Sequence, residues 1–493
     1  MSENKQDHKH NSTNSTSTAV DKQPHSKPSS VLQPHSQKHT FMSSKKNLNG
    51  LTQSLSFRSI MIAILSLLML IPLTLVDQSI KERSSRYYKV LSDISSSWGQ
   101  QQTLIGPLLI VPYVEHVVTV NTVTDSNGIS KTISKDVFTE HKRILLPQEL
   151  EIKADLKEQY RKRGIYNSLV YTADTTVKGH FNISSLLDSC NKNCSIKWDK
   201  AWLSMGLSDT KAITETSRFN WDGTSLAINP GTKVPQLINS GFHAAILGNQ
   251  PQTPLPTFKI RIAMNGSKGL RFAPLGVTTT TKITSTWPHP SFQGAILPKE
   301  NEITPEGFTA RWQIPNLARN YPQYWELSKQ DRENSQTSYQ LHHFTTGVDL
   351  FEPVTLYSKI SRAAKYGILL IVLTYITFLI FELTVQSKPH FIQYVLIGLS
   401  LSLFYLLLVS LAEHILFLHA YIIAAGVTIL MITLYSMAIL DKKRRAFGIA
   451  LLLIGLYAVL YTILHLEDYA LLAGSALLLI VLSALMFVTR RIT

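Results

Sequence analysis

Cysteine is almost missing: Cys190 and Cys194, in CNKNC, are the two in 493 residues. A zinc site needs four ligands, and no second pair completes one. The C-x3-C spacing also departs from the C-x-x-C of redox proteins. A small disulfide loop in an oxidising compartment, or thiols without a role, stays open. Catalytic signatures are missing too. No G-x-S-x-G or H-E-x-x-H occurs, and no His/Asp cluster has metal spacing. No catalytic residues, cofactor or metal are therefore expected. Glycine loops for phosphate, zinc fingers and RNA-binding aromatic motifs are also absent. Lys and Arg outnumber Asp and Glu by 48 to 33. Many of these basic residues flank apolar runs, where they act as topology signals, so nucleic acid is not an expected partner.

The first fifty residues are almost free of large apolar side chains. They cannot bury enough surface to offset the entropy of ordering, so a disordered cytoplasmic tail is expected over 1–57. Its histidines, such as His8 and His25, are read as solvated. The adjoining segment has the opposite character. RSIMIAILSLLMLIPLTLV, 58–76, is long enough to span a bilayer. No small-residue cleavage site comes after it, so a retained anchor is expected rather than a signal peptide. Near the C-terminus, polar punctuation divides an apolar block into spans at 367–384, 391–411, 415–440, 446–464 and 469–488. Six transmembrane helices result, one N-terminal and five C-terminal.

Orientation follows the positive-inside rule. Lys388, the KKRR of 442–445 and Arg490-Arg491 fall on one side by parity, while the loops at 413–414 and 465–468 have no Lys or Arg. Both termini are then cytoplasmic and 77–357 is extracytoplasmic. Lys359, Arg362 and Lys365 oppose this; at i, i+3, i+6 they are expected to line a helix face that meets anionic headgroups.

Between the first and second spans, 77–98 has Ile80, Tyr87, Leu91 and Ile94 at helical spacing, which predicts a stalk. From 99 to 357 the pattern is β-like. Strands are expected at 103–113, 116–121, 168–173, 175–181, 258–264, 277–286 and 307–314, with turns at Ser126-Asn127-Gly128, Trp221-Asp222-Gly223, Asn229-Pro230-Gly231 and Asn265-Gly266-Ser267. A β-sandwich or related β-rich domain is the expected fold.

One stretch, TSTWPHPSFQG at 284–294, invites a catalytic reading through His289 and Ser291. Two prolines disrupt a strand ladder there, and no third residue is evident to orient the histidine. A rigid corner or contact surface is expected instead.

Several stretches together resemble the CreD family of cell-envelope integrity proteins. They are IGPLLIVPY at 105–113, AINPG at 227–231, TSTWPHPSFQG at 284–294, GFTARWQI at 307–314, RAAKYGILLIVLTYITFLIFELT at 362–384 and YVLIGLSLSLFYLLLVSLAEH at 394–414. The resemblance covers 58–491; the N-terminal tail and CNKNC fall outside it. It implies an inner-membrane protein of a Gram-negative envelope with a role in cell-wall stress. It implies no reaction and no ligand, so no functional residue is carried over.

Candidate residues come from the membrane ends. Glu382 is an ionisable group inside a span, expected to snorkel or pair with Lys388, or to be functional. Glu413 and His414, with His419, His465, Glu467 and Asp468, are the polar residues of the outer loops. They are read either as loop chemistry or as a proton, metal or partner site. Tyr366, Tyr394, Tyr421 and Tyr469 are expected as interfacial anchors. Gly398, Gly426 and Gly455 are expected as close-packing positions. The leading expectation is non-enzymatic binding or interaction in the periplasm and membrane, with the bilayer and a periplasmic or membrane protein as partners. A transporter of a lipid or small molecule, and an envelope hydrolase, are the alternatives.

Overall fold

The structure, a computed structural model, describes residues 55–124, 130–190, 194–215, 219–246, 248, 251, 253–327, 339–352, 355–385, 390–439, 443–466 and 470–489. Residues 1–54 of the expected tail, the Ser126-Asn127-Gly128 turn, Lys388, Glu467, Asp468 and Tyr469 lie outside the described residues; the tail's last three residues, 55–57, are helical instead. Helix α1 (Leu55–Leu68) is followed at once by α2 (Leu70–Trp98). Backbone bonds Met69 N to Leu65 O and Leu73 N to Met69 O carry helical hydrogen bonding across the junction. The anchor and stalk expected from the sequence are thus one rod.

The main strands are β1 (Gln102–Thr124), β2 (Ser130–Leu145), β3 (Glu149–Arg163), β4 (Tyr166–His180), β5 (Trp202–Leu207), β6 (Gly241–Ala245), β7 (Thr257–Ser267), β8 (Gly269–Phe272), β9 (Thr278–Ser285), β10 (Pro290–Gly294), β11 (Gly307–Pro315) and β12 (Thr346–Leu350). They form two sheets. One runs β6-β5-β1-β8-β12-β10, with β2 paired to β1; the other runs β11-β9-β3-β4-β7. Shorter strands extend both edges. The two inner faces share one core, including Leu108, Phe181, Phe272 and Trp312. Each such side chain contributes about 1.5–3 kcal/mol on leaving water.

Alternation explains the threonine run. In β9, TTTTKITS, Thr279, Thr281, Ile283 and Ser285 are buried while Thr278 and Thr280 are exposed. A strand can therefore be polar in composition and still present a regular inner face.

Several expected boundaries are corrected. The strands expected at 103–113 and 116–121 are one strand, β1, with a register shift against β5 between Ile105 and Leu108. Such a bulge absorbs Gly106-Pro107 without ending the strand. The strands at 168–173 and 175–181 also merge into β4, because Asp174 is paired across the ladder by Arg261 of β7. Asn265-Gly266-Ser267 is no turn; it lies within β7, and the chain bends at Lys268, with φ 66°, to enter the other sheet as β8. Gly266 is needed for another reason: a Cβ there would meet the Tyr171 ring at 2.2 Å. That ring is buried, and its hydroxyl donates to Gly269 O at 2.7 Å.

After β12 the chain enters α3 (Leu356–Lys365), then α4 (Gly367–Val385), α5 (Phe391–Ala412), α6 (Phe417–Ile439), α7 (Lys443–His465) and α8 (Ala470–Thr489). Among the described residues, five helices are long and apolar enough to cross a membrane: 58–98, 356–380, 391–412, 417–439 and 443–465. The last expected span corresponds to α8. Helix α3 buries Tyr357, Ile360 and Ala363. Its cations meet the ends of the bundle: Lys359 stands over the Phe417 ring, and Arg362 donates to Leu466 O.

The bundle interior is aromatic. Tyr394 and Tyr421, expected at the lipid interface, are buried instead. The Tyr421 hydroxyl donates to Tyr457 O at 2.6 Å, and Tyr375 donates to Tyr394 O at 2.7 Å. Burial away from water makes such partners obligatory. Gly398 is the close-packing position expected, with Tyr375 and Met69 against it, whereas Gly426 and Gly455 have nothing near them.

Candidate functional site

Register brings the distant candidates together. Strands β3 and β9 run parallel, with Leu156 beside Ser285. Beyond that pair, Thr286 donates to the Glu158 carboxylate, β3 runs on as a hairpin with β4, and the chain after β9 leaves the sheet, so two groups lie at the same end. These are Tyr160 on β3 and Trp287 after β9. The chain then crosses to the other sheet, where Pro290 opens β10 opposite Leu350 of β12. Proline offers no N–H to the ladder, so the first residue of an edge strand suits it. The corner is pinned by the Trp287 indole N–H, which is 3.2 Å from His289 O and 3.1 Å from Phe351 O. Phe351 N also donates to His289 O. The expected corner is therefore Trp287–His289, and β10 follows directly.

This corner faces the membrane helices. The β3–β4 hairpin tip, Trp287 and His289, Glu352, the residues Thr355, Leu356 and Tyr357, and the end of α5 line an open cavity of about 840 Å³. Its lining includes His289, Glu413 and His414, three of the four residues singled out from the sequence. His419 and His465 do not line it. His465 packs on Tyr461, with ring centroids 4.5 Å apart.

Glu413 ties the junction. Its side chain is 2% exposed and lies 2.5 Å from the Arg83 guanidinium of α2. The Tyr357 hydroxyl of α3 donates to its other oxygen at 2.8 Å. Three helices thus meet on one carboxylate. The rings of Tyr87, Tyr166 and Tyr357 pack beside it, with Tyr87 centroids 5.7 Å from Tyr166 and 5.4 Å from Tyr357. His414 is exposed, with Nδ1 3.0 Å from Ser410 O. Opposite, burial pushes the Glu352 carboxyl above the usual carboxylate range, against a hydrogen bond from Tyr160 that favours the ion. A neutral acid beside aromatic walls donates as well as accepts hydrogen bonds.

Among the described lining residues no serine or cysteine stands with His289. Ser291 Oγ accepts from Gln293 Nε2 at 2.8 Å, and Ser291 is not among the lining residues. His289 and Ser291 are separated in role even though they are near in sequence. The walls carry aromatic faces, the Glu352 carboxyl, an amide at Asn167 and one ammonium at Lys162.

Glu382 lies elsewhere. It is 5% exposed, and the Tyr394 hydroxyl donates to it at 2.8 Å. The expected snorkelling to an interface is replaced by a buried hydrogen bond between α4 and α5. Cys190 and Cys194 stand as a bonded pair, with Cα atoms 5.2 Å apart. Neither is a lining residue of the cavity.

Sequence reasoning missed Tyr87, Tyr160, Lys162, Tyr166, Glu352 and Tyr357. The available signal was the tip RKRGIY, 161–166, where basic and aromatic residues flank a turn glycine. That composition suits a hairpin that meets a membrane surface.

Comparison with known proteins agrees with this architecture. The family model described as "Inner membrane protein CreD" matches residues 54–493. Inner membrane protein CreD of Escherichia coli (strain K12) is 33% identical over 383 residues, covering 76% of this chain and 79% of the relative. With an apolar helical bundle, a two-sheet domain and a match along nearly the whole described length, the chain belongs to the CreD family of inner membrane proteins.

Proposed function

We propose that this protein supports cell-envelope integrity under cell-wall stress by non-enzymatic binding at the junction between its β-rich domain and its membrane helices. The observation that carries this reading is the junction cavity. Trp287 and His289 come from one stretch that carries the family resemblance, and Glu413 and His414 from another, more than a hundred residues away. A recognition site at the boundary of two layers needs residues from both, and pockets commonly form at such boundaries.

In this reading the bundle has six crossings, α8 being the last, and the β-rich domain is extracytoplasmic. The loop after α5 has no Lys or Arg, whereas α7 begins with Lys443, Arg444 and Arg445 at the opposite end. The positive-inside rule favours this orientation, with both termini cytoplasmic. Reporter fusions after Ser97 and Lys443 are expected to fall on opposite sides, with the first outside; the reverse refutes the orientation.

Function is tested in a strain that lacks the gene. His289→Ala and His414→Ala, introduced together, are expected to reach the membrane at normal levels but fail to restore survival under a cell-wall inhibitor. Full restoration would remove the cavity from the function. A photo-crosslinking residue at position 289 should capture a membrane or periplasmic component. Turnover of an ester or glycoside substrate, lost with His289→Ala, would replace binding by hydrolysis.

A further inference from the structure

We infer that the junction cavity holds the headgroup of an uncharged, polyhydroxylated amphiphile, a glycolipid drawn from the leaflet that faces the β-rich domain. The inference rests on the binding reading above and adds the chemistry of the ligand.

Its first support is the gradient along the cavity wall. At the membrane end stand Leu356, Ile415 and Leu416, the last 74% exposed. Leu416 directly precedes α6, so an acyl chain lying along the bundle would start at this rim. Toward the sandwich the lining is mostly polar and aromatic, with Asn167, His289, Glu352 and the tyrosines beside Ile165, while Glu413 and His414 add polar groups next to the apolar rim. A cavity of about 840 Å³ is within the range of small-molecule sites, about 300–1,000 Å³. An amphiphile matches this order of surfaces, whereas a wholly soluble polar ligand would leave the apolar rim uncovered.

The second support is the kind of polar surface. Five rings line the cavity: Tyr87, Tyr160, Tyr166, Trp287 and Tyr357. A sugar ring presents C–H groups on its faces and hydroxyls around its edge. The faces pack on aromatic rings, and the edge needs partners that both donate and accept. Asn167, Thr355, His289 and the tyrosine hydroxyls provide these, and so does Glu352 in the neutral form that its burial favours.

Charge decides between headgroups. A phosphate is ordinarily gripped by several Arg or Lys donors. Lys162 is the single Lys or Arg among the lining residues, and the cavity also contains two carboxyl groups. A quaternary ammonium would be drawn to aromatic rings backed by free negative charge. Here Glu413 is already engaged by Arg83 and Tyr357, and burial disfavours the charged form of Glu352. An uncharged head is what remains favourable.

The test uses the full-length protein in nanodiscs of phosphatidylethanolamine, phosphatidylglycerol, phosphatidylcholine and diglucosyldiacylglycerol in equal parts. Native mass spectrometry reads the lipid that stays bound. Wild type should retain the glycolipid, and Tyr160→Ala, at an exposed hairpin position, should retain at least about fivefold less. Tyr160→Phe, which keeps the ring, should hold most of it; this separates loss of a stacking face from loss of the fold. Retention of phosphatidylglycerol that Lys162→Ala abolishes would overturn the headgroup class while leaving the binding reading intact. Retention of phosphatidylcholine that falls with Tyr160→Ala would overturn it in favour of a cation cage. Retained lipid that none of these variants alters would overturn the cavity as a lipid site. The survival assay then judges the binding reading separately.

Discussion

Arg83→Met is the most informative substitution at the junction. Arg83 is 46% exposed and its partner Glu413 only 2%. Breaking a fully buried pair costs about 3–5 kcal/mol because a charge is stranded. An exposed pair is worth about 0–1 kcal/mol. This pair is buried on the carboxylate side alone, and water already reaches the guanidinium, so the expected loss is about 2 kcal/mol. In a folded unit of this size it corresponds to a fall of about 2–4 °C in melting temperature. Glu413→Leu removes the acceptor of the Tyr357 hydroxyl and costs about 1–2 kcal/mol, while Arg83 turns to water. The double variant strands no carboxylate. It should therefore melt no lower than Arg83→Met despite carrying one more substitution, a coupling of about 1–2 kcal/mol. Thermal unfolding in nanodiscs, followed by tryptophan fluorescence at one scan rate, measures all four proteins. Losses that simply add would refute Glu413 as the shared anchor of α2, α3 and α5.

Other expectations concern the sandwich, the bundle and pH. Gly266→Ala drives a methyl group into the Tyr171 ring and should cost about 3 kcal/mol, whereas Tyr171→Phe, which loses the bond to Gly269 O, should cost about 1–2 kcal/mol; thermal unfolding ranks them. Glu382→Gln should leave stability nearly unchanged because it still accepts from Tyr394, while Glu382→Leu should lose about 1–2 kcal/mol in the same assay. The hydrogen bond from Arg261 holds Asp174 below the usual carboxylate range, so its stabilisation is present above the unfolded carboxylate pKa and is lost as pH falls through the folded one. Glu352 has the opposite sign. Its raised folded pKa gives a contribution that is complete below the unfolded pKa and is lost as pH rises through the folded value. Melting curves across pH should show Asp174→Asn flattening the loss of stability as pH falls and Glu352→Gln flattening the loss that sets in as pH rises above the unfolded carboxylate pKa.

Helices were legible where apolar runs are long, because spanning a bilayer demands about twenty such residues and little else intervenes. Helix α5, expected at 391–411 and found at Phe391–Ala412, shows this. The stalk was legible for a related reason: Ile80 and Ile94 keep a buried face in helical register, and both are buried. Strand ends were less so. Asp174 resembles a break until its cross-strand partner Arg261 is seen, and Asn265-Gly266-Ser267 resembles a turn until the Tyr171 ring is found over it. Local composition does not encode such partners. Tyr394 and Tyr421 illustrate the same limit inside the membrane, since burial or lipid exposure depends on which way each helix faces its neighbours. The candidate site was half legible. His289, Glu413 and His414 stood out as residues, but their meeting depends on the parallel register of β3 and β9 and on the crossing to β10. Nothing local to 287–289 or 413–414 announces it.

The rod that joins membrane and domain has a mechanical consequence. Helix α2 contains 29 residues and is about 43 Å long. Its far end is fastened, with the Ser95 and Ser267 hydroxyls bonded and the Trp98 indole donating to Tyr171 O. There is no slack linker to absorb motion, unlike the flexible tethers that separate many domains. A change of about 10° in the tilt of such a lever moves its tip by about 7 Å. Tilt in turn responds to bilayer thickness. Thinning or thickening of the membrane is therefore expected to reach the sandwich as displacement, where the cavity has one wall on each body. Arg83, partway along the lever, is one of its ties to the bundle, beside the packed Leu73, Val76 and Ile80.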